Sequence, residues 1–252
     1  MNLDNVKAIL LPEGNVKSLA INGATVWSAS SSDPDPSVLY TWEHVLWSIA
    51  NNRYTTDYSI GDLIPLDLGT EGAINMQIVG FDVDTLAGGT GKAHISFLSK
   101  ELLKTQHRMN PAKSTGQSGT GTLGGWKYSE MRTYIKERIK PLIPSNVQSA
   151  IVEVNKTHAS YTTSGNRTTQ TSQDDLWIPS YTEEIKNADS LYGSIFIDDD
   201  SRIKRLPNEE KGKPWWTRSA NSPESFLRVG TSGGYSNSTS TNLAYICLGF
   251  CL

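Results

Sequence analysis

Few residues in this chain are of a type that does chemistry, and they are scattered. Cys247 and Cys251 lie at the end, and the histidines are His44, His94, His107 and His158. A thiolate pair could hold a soft metal or cycle through a disulfide. On one extended strand the two would stand about 13 Å apart, whereas a disulfide needs Cα atoms within about 7 Å. They read as buried free thiols acting as small hydrophobes. The histidines have no ligand spacing, so no zinc site is expected. Asp82, Asp84 and Gly88-Gly89-Thr90-Gly91-Lys92 suggest a calcium or phosphate loop. The glycines lack the P-loop interval and the aspartates lack the remaining EF-hand ligands, so a solvated turn is expected. Asp198-Asp199-Asp200 reads as another solvated turn, with calcium left open, because that ion wants about six to eight oxygens. No histidine stands beside a serine or cysteine in a nucleophile context. The expectation is no catalytic residue, no metal and no cofactor.

What remains is the chemistry of recognition. Residues 221–243 are rich in Gly, Ser, Thr and Asn with a tyrosine among them, and no charge follows Arg228. Such a segment offers little apolar area to offset the entropy of ordering it. Small polar residues that hydrogen-bond adaptably, with a rigid Tyr, suit a binding surface. A solvated loop fits the composition equally well. Length favours function, since structureless loops beyond about 12–15 residues are uncommon in compact domains.

The elements that would position this segment can be read around it. Trp215-Trp216 before it and the apolar run Ala244–Leu252 after it predict two buried strands, with the chain end pairing with the beginning of its domain. Residues 1–29 predict a small β module: two apolar-polar repeats, a turn at Pro12-Glu13-Gly14-Asn15, then Asn22-Gly23 and a third strand. Residues 30–37, rich in Ser, Asp and Pro, predict a linker, leaving 38–252 as the main domain. There Thr41 caps a predicted helix over 41–50, and strands are predicted at 63–68, 73–83 and 94–98. Polar loops are predicted at 110–125 and 157–173. A helix capped by Ser129 presents Met131, Tyr134, Ile135 and Ile139 on one face and stops at Pro141. A short helix begins at Ser145, and a strand covers 151–156. Ser180 and Glu183 have capping-box spacing, predicting a helix from about Tyr181 to Ala188.

Several fragments together carry a resemblance: GGWKYSEMRTYI at 124–135, DDLWIPSYTE at 174–183, WWTRS at 215–219 and CLGFC at 247–251. They resemble prophage-encoded and bacterial surface domains of uncertain function, which look related to the C-type-lectin-like fold of formylglycine-generating enzymes and phage tropism determinants. The spacing of Val, Leu, Ile, Asn-Gly and Val-Trp over 6–27 likewise resembles the N-terminal module of phage tail and surface proteins. The fold implied is α+β, a C-type-lectin-like domain preceded by a small N-terminal β module. The function implied is phage or prophage receptor binding, a host adhesion displayed on a phage tail or bacterial surface. In the tropism determinants a diversity-generating retroelement rewrites adenines near the 3′ end, making a variable protein whose altered positions cannot become Glu, Lys, Gln, Met or Trp. Residues 225–245 contain none of those five. The resemblance implies a ligand-binding set of Asn221, Phe226, Arg228, Thr231, Ser232, Tyr235, Asn237, Thr239, Thr241, Asn242 and Tyr245. Affinity is expected from Phe226, Arg228, Tyr235 and Tyr245, as aromatic and Arg residues dominate interface hot spots. Trp215, Trp216, Arg218 and Phe250 would be the scaffold. Two other readings stand beside this one: a structural tail protein with no ligand, or an oxidase using Cys247 and Cys251 as formylglycine-generating enzymes do.

Composition bounds the partners. The net charge of −3 over 252 residues argues against nucleic acid, which needs a clustered basic surface. No segment approaches the roughly 20 apolar residues of a membrane span. The first residues lack a signal-peptide pattern, so cytoplasmic synthesis is expected, followed by a place in the virion tail or on the cell surface. The expected partners are a host cell-surface receptor, protein or glycan, and tail proteins docked on the N-terminal module. A homotrimer is expected by analogy with tail-tip proteins.

Overall fold

The computed structural model describes the strands at 6–10, 16–21 and 24–28, and residues 38–113, 116–184 and 191–252 in full. The predicted linker at 30–37 and the end of the helix predicted to reach Ala188 lie outside the described residues. The chain divides into two compact units, Met1–Leu39 and Tyr40–Leu252. In the first, β1 (Val6–Leu10), β2 (Val16–Ile21) and β3 (Ala24–Ser28) form an antiparallel meander. Val6 stands opposite Ile21, and Ile21 opposite Ala24.

The second unit is α+β. Helix α1 (Trp42–Ala50) starts where Thr41 Oγ1 accepts the His44 N–H. It is followed by one turn, α2 (Tyr54–Asp57). The main sheet contains β4 (Leu63–Asp67), β5 (Ala73–Phe81), β6 (Ile95–Ser99), β9 (Leu176–Trp177) and β13 (Gly249–Cys251), in the order β4-β5-β6-β13-β9. β4 alternates exposed and buried residues, as an edge strand with one wet face should. Every residue of β6 and β13 is buried, so neither strand has a wet face, and the polar Ser96 and Ser99 of β6 are buried with the rest. The chain end therefore sits inside the sheet, which explains its apolar character.

The pairing of the domain's two ends is corrected. β13 lies between β6 and β9, with β5 and β6 between it and β4. The beginning of the unit reaches β13 through α1 instead: the Trp42 ring lies 5.3 Å from Phe97 and 5.8 Å from Phe250. Gly249 is required where it stands, because a Cβ there would fall 2.4 Å from the Trp177 ring.

The helix capped by Ser129 is regular only at its start. α3 (Glu130–Tyr134) runs on into wide π-type turns over Ile135–Ile139 and a 3₁₀ turn at Lys140–Leu142. Pro141 has no N–H to return to the preceding turn, and its ring crowds the carbonyl there. Met131, Ile135 and Ile139 still face the core. α4 (Ser145–Ala150) follows.

Two segments read as polar loops are strands. β7 (Val154–Tyr161) and β8 (Arg167–Asp174) form a regular hairpin in which Thr157 pairs with Thr171. α5 (Tyr181–Glu184) opens on the expected capping box: Ser180 N–H donates to Glu183 Oε2 at 2.8 Å, and Glu183 N–H donates to Ser180 Oγ at 3.3 Å. Then β10 (Trp215–Ala220), β11 (Ser225–Val229) and β12 (Tyr235–Thr239) make a second antiparallel sheet. The supposed display loop is thus mostly a β-hairpin. Its Ser, Thr and Asn residues need no core of their own, because β10 beneath them is wholly buried.

Candidate ligand-binding cleft

β7 packs beside β10, and between the β7–β8 hairpin and the β10–β11–β12 sheet opens a cleft of about 530 Å³. One wall is Thr157, Ala159, Tyr161, Arg167 and Thr169, and the opposite wall is Leu227, Tyr235 and Asn237. Ser180, Tyr181 and Thr182 from the start of α5 and Ser219, Ala220 and Asn221 from β10 complete it. Three half-buried tyrosines therefore stand around a small apolar floor of Ala159, Ala220 and Leu227, with hydroxyls and amides between them.

The walls are tied together from beneath. Arg218, on β10 and 1% exposed, donates to both carboxylate oxygens of Glu183 at 2.6 Å, to Ile178 O at 2.7 Å and to Thr157 O. One guanidinium thus joins β10, α5 and β7, the geometry for which its planar fork is suited. Lys156 Nζ reaches Glu183 Oε1 at 3.2 Å and Asp84 Oδ1 at 2.5 Å. Burial would raise both carboxyls, but the Arg218 and Lys156 charges hold Glu183, and Lys156 holds Asp84, below the usual range. Above them, Tyr161 Oη donates to Asn221 O at 2.7 Å and closes one end of the cleft.

Two buried titratable groups border the cleft. His158 is pushed down to about 4 by burial and by the Arg218 charge, so it is neutral at pH 7. Gly125, at φ +60°, passes close to it, and a Cβ there would meet the His158 ring at 2.7 Å. Glu184 is pushed up to about 8 by burial and by the neighbouring Glu183 charge, so it is protonated at pH 7. Its Oε2 accepts from Tyr235 Oη at 2.9 Å. Among the described residues that line the cleft, Arg167 is the one Lys, Arg, Asp or Glu.

The structure sorts the expected ligand-binding residues by strand parity. Asn221, Tyr235 and Asn237 line the cleft, with Asn221 Nδ2 donating to Asn237 Oδ1 at 2.8 Å. Phe226 and Arg228 fall on the other face of β11. Phe226 is fully buried and so makes no contact surface, and Arg228 reaches Ser236 Oγ. Thr231 and Ser232 stand exposed at the tip between β11 and β12. Thr239 ends β12 outside the cleft, and Thr241 and Asn242 form the next turn, where Asn242 Nδ2 donates to Ser238 Oγ. Tyr245 lies beside β10, its backbone joined to Pro214 and Trp216. Tyr235 is also more structural than expected, since the Arg202 guanidinium lies 4.8 Å from its ring and Tyr181 meets it edge-on at 4.5 Å. The expected scaffold residues Trp215, Trp216, Arg218 and Phe250 are all buried. The cleft residues on the β7–β8 hairpin escaped because 157–173 reads as a loop. β8 alternates in burial at its end, with Ser172-Gln173-Asp174 buried-exposed-buried, but its residues include no apolar side chain that would show that period in the sequence.

The other candidate chemistries are corrected in part. Cys247 precedes β13 and does not share its strand with Cys251. Both thiols are free and buried, and they face different partners: Cys247 Sγ meets Ser99, and Cys251 Sγ meets Asp84 and Ser96. Burial pushes Cys247 up to about 11 and raises Cys251 as well, opposite to what a reactive thiolate needs. Asp84 does not sit in a solvated turn but is buried, 2% exposed. The carboxylate of Asp198 accepts from Ser201 N–H and that of Asp199 pairs with Arg202. Gly230-Thr231-Ser232-Gly233-Gly234 has Gly-x-Ser-x-Gly spacing, yet it is a hairpin turn with no helix behind it, unlike a nucleophile elbow.

Residues 97–247, more than half of the sequence, match the family described as Domain of unknown function (DUF6273). The chain belongs to the DUF6273 family. The DUF6273 match runs from β6 to Cys247 and takes in every wall of the cleft. No curated protein and no solved structure gives a significant match. Among the described residues, no helix is long and apolar enough to cross a membrane.

Proposed function

We propose that this chain is a ligand-binding module that attaches a phage tail, or a bacterial surface, to a receptor on a host cell, and that the cleft between the β7–β8 hairpin and the β10–β11–β12 sheet holds the ligand. The observation that carries this reading is the lining itself. Tyr161, Tyr181 and Tyr235 offer rigid faces, Ala159, Ala220 and Leu227 an apolar floor, and Arg167, Asn237 and Thr169 polar groups at the rim. This is the pattern of a site that orients a polar ligand by a few hydrogen bonds over an apolar surface. The reading includes a C-type-lectin-like fold and a variable surface whose altered positions face the cleft. The thiols argue against the oxidase alternative, because burial raises both and their partners differ.

Binding of the purified protein to candidate host cells tests the proposal. Thr169→Trp fills the exposed rim of the cleft, and Ser232→Trp places the same bulk at the exposed tip outside it. Loss of binding with Thr169→Trp but not Ser232→Trp is the expected result. The reverse pattern would move the site to the hairpin tip, and equal binding by both variants would remove the cleft from the account.

A further inference from the structure

The buried ion cluster beneath the cleft has more chemistry in it than its structural work requires. Lys156 is 1% exposed, Asp84 2%, Glu183 3% and Tyr192 fully buried. Lys156 Nζ lies 2.5 Å from Asp84 Oδ1, 3.2 Å from Glu183 Oε1 and 2.8 Å from Tyr192 Oη, and 3.5 Å from the centre of the Trp177 ring. Asp84 Oδ2 accepts from Tyr192 Oη at 2.8 Å and from Ser96 Oγ at 2.6 Å. An amine, a carboxyl, a second carboxyl within reach of the amine, and two hydroxyl donors on the first carboxyl thus meet in a buried site walled by Trp177 and Tyr192.

We propose that Lys156 and Asp84 condense spontaneously into an intramolecular amide, an isopeptide cross-link, with Glu183 carrying the protons. A proton passing from Nζ to Oδ1 along their short hydrogen bond turns the ion pair into a neutral amine and a carboxylic acid. Burial works toward that neutral pair, because two charges in a low-dielectric site lose their hydration. The Lys156 charge nonetheless keeps Asp84 ionised at rest, so the neutral pair is the minor form through which the reaction runs. A desolvated lysine is also the form that acts as a nucleophile. Rotation of the Asp84 carboxyl offers Cγ to Nζ. The Nζ–Cγ bond forms while Oδ2 takes negative charge, held by Tyr192 Oη and Ser96 Oγ as an oxyanion is held. Glu183 Oε1 accepts a proton from Nζ and returns it to Oδ1. The Cγ–Oδ1 bond then breaks and Oδ1 leaves as water. Of the three ammonium protons, two depart in that water and one stays on the amide nitrogen. No oxidant or co-reactant is consumed. The positive and negative charges cancel together, leaving Glu183 paired with Arg218 and the core neutral.

Distance alone does not make the argument. Lys140 and Asp175 are also 2.5 Å apart, but the Lys140 side chain is 30% exposed and water stabilises its charge. That pair is expected to remain an ion pair. A bond between Asp84, in the segment after β5, and Lys156, on β7, would close a span of 72 residues. It would fasten one wall of the cleft to the main sheet independently of any ligand.

The test is the intact mass of the purified full-length protein, measured denatured and again after prolonged incubation at neutral pH, with peptide mapping. The expected mass is below the sequence mass by one water, about 18 Da, with Lys156 and Asp84 recovered in one branched peptide. Lys156→Arg keeps a cation but should restore the full mass, and Glu183→Gln should restore it or slow the loss. Asp84→Asn should still cross-link, losing ammonia instead. A folded wild-type protein at the unmodified mass after incubation overturns the proposal, as does a water loss that maps elsewhere. Because the decisive measurement is on the wild type, an unfolded variant cannot obscure it.

Discussion

Glu184 ties stability to pH in a direction that can be worked out from its surroundings. Its carboxyl is fully buried, Tyr235 donates to Oε2, and Oε1 has no partner among the described residues. Burial, then the Glu183 charge, lifts it to about 8 from an ordinary 4.5, against the pull of the Tyr235 hydrogen bond and of Lys204 and Arg202. A group raised on folding contributes stability that is complete below its unfolded value and lost as pH rises through its folded value. At about 1.4 kcal/mol per unit, Glu184 removes about 1.5 kcal/mol between pH 6.5 and 8. His158, lowered to about 4, works in the opposite sense: its contribution becomes complete only well above 6.5 and is lost as pH falls through 6.5 toward 4. In the same window it returns about 0.4 kcal/mol, so the net fall is about 1 kcal/mol. Below pH 6.5 the two trends oppose each other. Asp57, Asp84, Asp175 and Glu183, all lowered, act only in more acid solution. Urea titrations followed by tryptophan fluorescence at pH 6.5, 7.25 and 8 would measure the fall. Glu184→Gln keeps an oxygen for Tyr235 but cannot ionise, so its stability should be level or rise slightly over that range. A wild type that holds its stability from pH 6.5 to 8, or a Glu184→Gln protein that falls just as far, would refute the reasoning.

Other perturbations separate the structural roles. Arg218→Ala strands the buried Glu183 carboxylate and should cost about 3–5 kcal/mol in denaturant titrations, while Arg108→Ala, removing a pair whose arginine is 43% exposed, should cost under about 1 kcal/mol. Trp216→Ala should cost about 3–5 kcal/mol, since the ring is fully buried and its Nε1 donates to His107 O at 2.8 Å. Gly249→Ala drives a methyl into the Trp177 ring and should cost about 1–3 kcal/mol by overpacking, visible as a lowered melting temperature. If a retroelement diversifies this gene, sequencing sibling copies should find altered codons at cleft-facing Asn221, Tyr235 and Asn237 and none at Phe226 or Val229, which are buried.

Where an apolar period was strong, the sequence revealed the element: α1, β4, β5 and β6 lie within a residue or two of their expected places. The buried end of the chain was legible too, although not its neighbours in the sheet, since nothing local to Gly249–Cys251 distinguishes β9 from β4 as a partner. The hairpins β7–β8 and β11–β12 were hidden by composition. Thr, Ser, Asn and Gln suit loops and half-wet strands alike, and with little apolar contrast the period of two is faint. That error carried into the site, because a loop has no faces whereas a strand sends Phe226 to one side and Leu227 to the other. The ion cluster was not legible at all. Asp84 and Lys156 are 72 residues apart and Glu183 and Arg218 are 35, and only the fold brings them together.

The central claim is that the cleft is where this DUF6273 chain meets its ligand. Hydrogen exchange followed by mass spectrometry, with and without host cell-envelope material, tests that most directly. New protection is expected in 157–169, 180–182, 219–221 and 235–237, the segments that line the cleft. Protection confined to the tip at 230–234, or none at all with material the protein demonstrably binds, would contradict it.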